Sequence, residues 1–196
     1  MLHETFHVFQ AKKSPDNFTR ALDNYRLGEA YWRIDSNMHA DWGEEMDTLI
    51  KSVKADSRAE TAALASEFIS LRENRREIND LSDDFIAFET QIEWLEGLPK
   101  YIELSIWETA SGSNRYTPIP GVEKDRDFKS YETFDRRWSQ EINQAGRQAE
   151  IGSDVRFYYS GMLQARILDR LMPEWKTRIM DKGVFLEDLI LEAISD

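Results

Sequence analysis

The sequence predicts an all-α protein folded as a single domain over residues 1–196. Three observations carry this. Apolar residues recur every three or four positions in successive windows, helix-start signals precede several of those windows, and no convincing run of strands or internal repeat occurs. With 41% hydrophobic and 12% aromatic residues, a chain of this length can bury a core of its own.

The elements follow in order. Residues 2–10 read as a short helix. Residues 11–41 are mixed, with Ser14-Pro15-Asp16-Asn17 as a turn signal and an aromatic patch at Tyr25, Tyr31, Trp32 and Trp42. Met46, Leu49, Ile50 and Val53 share one face of a helix over 43–55. Ser57 and Glu60 form a capping box for the next helix, whose apolar stripe is Leu64, Phe68 and Leu71. Ser82 starts a further helix with Phe85, Phe88, Ile92 and Leu95 facing inward. The Gly-, Pro- and Ser-rich stretch 109–128 is a long loop. A helix over 129–148 follows, then an apolar one capped by Ser153 or Asp154 and ended by Pro173, and two short helices close the chain.

Composition excludes several functions. A net charge of -12 argues against nucleic acid, whose phosphates need clustered Lys and Arg. No apolar run is long enough to span a bilayer, so no membrane partner is expected. Cys is absent, which removes disulfides and thiolate metal sites. An acidic, Cys-free chain without a signal peptide favours the cytoplasm, unless an upstream segment carries an export signal.

The chemistry-bearing stretch is His3-Glu4-Thr5-Phe6-His7. On a helix, residues four apart lie one above the other, so His3 and His7 can share one tetrahedral Zn2+. Glu4 is then free to take a proton from the attacking water. A catalytic zinc needs a third protein ligand, and with no Cys a carboxylate is the natural choice. Glu89, Glu93 and Glu96 form one carboxylate face, which Arg72, Arg75 and Arg76 on the preceding helix could meet, the alternative being a solvated acidic stripe.

The stretch "WLEGLPKYIE", residues 94–103, resembles the gluzincin zinc metallopeptidases, most closely the zinc aminopeptidases. Their corresponding helix reads Trp-Leu-Asn-Glu-Gly-Phe-Ala-x-Tyr-x-Glu. The Asn is missing here and Pro99 replaces the Ala, which predicts a kink. The resemblance implies that Glu96 is the third ligand, with Glu93 a fallback ligand or an orienting group. It also implies an oxyanion donor in Tyr158, followed by Gly161 as in the family's Tyr-x-x-Gly, with Tyr159 the adjacent alternative. His39 has no place in this pattern and reads as a surface or loop residue.

The family also places a β-lobe before the signature helix, and its edge strand holds the extended peptide. Here nothing precedes Met1, so the chain is expected to be either a piece or misassigned start of a longer protein or a natural remnant that kept the helical half, in both cases with an incomplete cleft and weak or absent metal binding at a frayed helix end. An apolar face left uncovered would favour a homo-oligomer. Two functions follow. One is a zinc-dependent hydrolase acting on a peptide or protein substrate. The other is a non-catalytic helical domain that binds through the aromatic segment 25–42 and the loop 109–128.

Overall fold

The computed structural model describes residues 2–34, 37–113, 115–128, 130, 134–149 and 151–195, and no strand occurs among them. The all-α expectation is met. Helix α1 spans Leu2–Lys13, a turn longer than its apolar pattern, with Lys12 and Lys13 at the end where the helix dipole favours cations. The Ser14–Asn17 segment is not a free turn. It opens α2 (Pro15–Asn24), because proline at the first helical position has no needed N–H to lose. A 3₁₀ turn (Tyr25–Leu27) and the short α3 (Gly28–Tyr31) follow.

Helices α4 (Asn37–Lys54) and α5 (Arg58–Ile78) form an antiparallel pair. At their junction Ser57 Oγ accepts the Glu60 N–H at 3.2 Å. The Glu60 carboxylate reaches back to the Asp56 N–H at 3.1 Å, one residue earlier than in the expected box. Helix α6 (Asp83–Ile92) continues through a π-helical turn (Glu93–Gly97) into α7 (Leu98–Ser111). The expected kink at Pro99 is resolved by this change of winding. Pro99 falls in the first turn of α7, where its missing N–H costs little. Helix α8 covers Phe134–Ala149; its expected start near residue 129 lies partly outside the described residues. Helix α9 (Val155–Leu171) ends before Pro173, and a 3₁₀ turn (Pro173–Thr177) and α10 (Leu186–Ser195) close the chain.

Helix α9 is the central element and packs on α4, α7, α10 and the π turn. Phe157, Met162, Leu163, Ile167 and Leu168 on it are fully buried. Rings of the aromatic segment enter the core. Tyr31 and Trp42 are fully buried, and Phe157 packs against Tyr31, Trp32, Trp42 and Phe88 at 5.4 to 6.0 Å between ring centres. Tyr25 and Trp32 of the same segment are half-buried, and Arg26, Glu29 and Arg33 are exposed. No helix among the described residues is long and apolar enough to cross a membrane.

The three glutamates do not share one face, and the π turn is the reason. Residues three apart on an α-helix diverge by about 60°, whereas the wider π winding separates them by roughly 110°. Glu89 and Glu93 therefore turn inward to α5, and Glu96 turns to α1. Arg72 grips Glu93 with two bonds of 2.6 and 2.9 Å and donates to Glu45 and Glu187 at 3.0 Å each. Arg75 bonds Glu45 and Glu89, and Arg76 bonds Glu89 at 2.9 Å and Glu187 at 2.6 and 2.8 Å. Ser160 on α9 donates to Glu93 at 2.6 Å. Glu93 is thus neither a ligand nor an orienting group for the histidines; it is neutralised by Arg72.

Candidate metal centre

Three side chains from two elements converge at the outer side of the π turn. His3 Nε2 lies 2.9 Å from Glu96 Oε2, and His7 Nε2 lies 3.6 Å from the same oxygen. The three donor atoms all stand within 4.8 Å of one another. Zinc bonds of about 2.0–2.2 Å at a tetrahedral angle put two ligand atoms about 3.3 Å apart, so the observed separations bracket what an ion requires. Among the described residues no fourth His, Asp or Glu joins this group, which leaves one position open.

The second ring nitrogen of His7 is also engaged. Its Nδ1 meets Gln10 Oε1 at 2.9 Å, and Gln10 Nε2 donates to the Trp94 carbonyl at 2.9 Å. This pairing places a hydrogen on Nδ1 and turns Nε2 toward Glu96. In the π register the partner of the Trp94 carbonyl would be Pro99, which has no N–H to give, so the Gln10 amide supplies the bond. Gln10 is fully buried, an expensive place for an amide unless both ends are bonded. The sequence analysis missed it, although it lies three residues beyond His7 on the same helix face.

Glu96 carries further partners. The Tyr25 hydroxyl donates to Oε1 at 2.5 Å. Burial pushes the Glu96 carboxyl up, but bonding from His3, His7, Tyr25 and Tyr158 outweighs it and holds the group well below the carboxylate range. Burial also lowers His7, yet Glu96 and Gln10 overcome this and raise it. Burial and the Glu96 charge raise Tyr25 and Tyr158, which keeps both hydroxyls protonated at neutral pH.

Tyr158, on the first turn of α9, stacks on the His3 ring at 5.2 Å between centres and 11° between planes. Gly161 brings it there. A Cβ on Gly161 would lie 2.4 Å from the Glu93 carbonyl oxygen, so only glycine lets α9 approach the π turn so closely. Tyr159 points elsewhere: it is buried beside Lys100 and feels Glu141. Glu4 is exposed on α1, near enough for its charge to bear on His7 and Tyr158. Asp154 sits behind, its carboxyl raised by burial and by the Glu96 charge.

His39, expected as a surface or loop residue, is half-buried on a helix. It lies in the first turn of α4, and its Nδ1 accepts from Nη2 of the fully buried Arg156 at 2.9 Å. Arg156 packs over the faces of Trp32 and Trp42 at 5.1 and 4.9 Å. A cleft of about 470 Å³ is lined by Ser52, Glu108, Trp138, Arg166 and Arg170, away from the histidines.

The chain matches no family model, and comparison with curated proteins and with solved structures gives no match. The reading of the centre therefore stands on its own geometry and donor chemistry.

Proposed function

We propose that the chain is a zinc-dependent, peptidase-like hydrolase in which His3, His7 and Glu96 hold the metal. The observation that carries this reading is the aim of two Nε2 atoms at one oxygen of Glu96, with Gln10 turning the His7 Nε2 toward it. Two imidazoles and a carboxylate suit a borderline ion such as zinc, and three protein ligands with an open position are the catalytic rather than the structural arrangement. A bound zinc would supply Lewis acidity and lower the pKa of water in the open position.

The chain's own groups divide the remaining work. Glu4, next to His3 but turned to solvent, accepts the proton of the attacking water and returns it to the leaving amine. Tyr158 donates its hydroxyl to the carbonyl oxygen as negative charge develops there. Its present bonding to Glu96 means that it must exchange partners when substrate arrives.

A second reading, a non-catalytic helical binding domain that retains the ligand set, is favoured by one observation. The Tyr158 hydroxyl is already bonded to Glu96, and its ring is stacked on His3. Two measurements separate the readings. Metal analysis of the purified protein and of Glu96→Ala is expected to give one zinc and none. Glu4→Gln is expected to keep the zinc and lose peptide hydrolysis by at least about 100-fold. Zinc bound in both wild type and Glu4→Gln, with no hydrolysis in either, would support the second reading; no zinc in wild type would end the first.

A further inference from the structure

Besides its bond with Tyr158, the Glu96 carboxylate meets different partners at its two oxygens. Oε2 faces both imidazole Nε2 atoms, at 2.9 and 3.6 Å. Oε1 is closed off by the Tyr25 hydroxyl at 2.5 Å, across 71 residues of chain. A carboxylate with both oxygens free can bind a metal through the pair. Here that would add a donor and fill the position a substrate needs, since a catalytic zinc keeps three protein ligands and one open site.

The hydroxyl is held in place by its own element. Tyr25 opens the 3₁₀ turn directly after α2. Its neighbour Asn24 donates to Gln91 on α6 at 2.9 Å. Earlier in α2, the buried Asn17 donates to the Asp181 carbonyl at 3.0 Å and accepts the Gly183 N–H at 2.8 Å. The segment leading into the turn is thus tied at two points, to α6 and to the stretch before α10. This is the support a fixed metal ligand requires.

Resting on the zinc reading above, we propose that Tyr25 is a positioning residue that restricts Glu96 to one donor oxygen and so keeps the fourth metal position open. The residue takes no part in proton transfer. Its effect is on coordination number and on the lifetime of the bound ion.

The test replaces zinc with cobalt(II), whose visible absorption is intense when four-coordinate and weak when a further donor is added. Wild type is expected to show the intense form. Tyr25→Phe, which removes only the hydroxyl, is expected to show a spectrum at least about twofold weaker and a Kd raised about tenfold or more. Its metal-free melting temperature should move by less than about 4 °C, the loss of one partly exposed hydrogen bond in a domain of this size. Identical spectra and Kd in the two proteins overturn the role of Tyr25 and leave the metal site standing. Wild type that binds no cobalt and no zinc overturns both. A second measurement is independent of any variant: X-ray absorption or a crystal structure of the zinc-loaded wild type. Both Glu96 oxygens bonded to the ion there would also overturn the proposal.

Discussion

Gly97 and Gly161 meet backbone to backbone: a Cβ on Gly97 would stand 2.5 Å from the Gly161 Cα. The two glycines belong to separate motifs, Glu-Gly and Tyr-x-x-Gly, and their contact joins them. It brings the element that carries Glu96 against the one that carries Tyr158.

Substituting either glycine should therefore disturb both stability and the site. Gly161→Ala places a methyl group against the Glu93 carbonyl and Gly97, which are backbone and cannot swing aside. We expect a loss of about 3 kcal/mol, at the upper end for overpacking, and a melting temperature lower by about 6–12 °C. Thermal denaturation checks this, and a fall of under 2 °C would contradict the close approach.

Glu89 predicts the acid limb of the stability curve. Burial raises its carboxyl, but Arg75, Arg76 and Arg72 overcome that and bring it to about 2. The folded value is thus below the unfolded one. Its stabilisation is complete above about pH 4.5 and is lost as the pH falls toward 2. Glu89→Gln should cost about 3–5 kcal/mol at neutral pH, because Arg75 and Arg76 stay buried without this charge. Its stability should also change less between pH 4.5 and 2 than that of wild type, as urea titrations at a series of pH values will show.

His39 acts with the opposite chemistry. Burial and the Arg156 charge lower its pKa below 6.5. The unfolded chain then binds more protons near pH 6, so stability is full above about 6.5 and declines as the pH falls toward the folded value. His39→Gln keeps an acceptor for Arg156 but does not titrate. Its melting temperature should vary less than wild type between pH 7 and 5; parallel curves would refute the pairing.

Metal should stabilise α1 above all other elements, because His3 and His7 lie on it and Glu96 does not. At free zinc about 100-fold above Kd, binding contributes about 2.7 kcal/mol, a rise of about 5–10 °C in melting temperature. Amide exchange should slow in Leu2–Lys13 first. Glu96→Ala is expected to remove both effects.

The helical class, most helix positions, the arginine row that could meet Glu89 and Glu93, and the His3/His7 pair were legible in the residues alone, whereas Glu96 was singled out only through a family resemblance. The former follow from local periodicity, caps and i, i+4 spacing, which act within a few residues of chain. The sequence even held the signal for Gln10, one turn past His7. Only the tertiary structure decided that the helix rewinds at Glu93–Gly97, sending Glu93 to Arg72 and Glu96 to the histidines. Tyr25 over Oε1 and His39 on Arg156 were likewise invisible, since each pairing spans many tens of residues. Burial is the reason. A π turn and a charged core are unfavourable in isolation, and they persist here because packing against α9 and α5 leaves those groups no water to turn to.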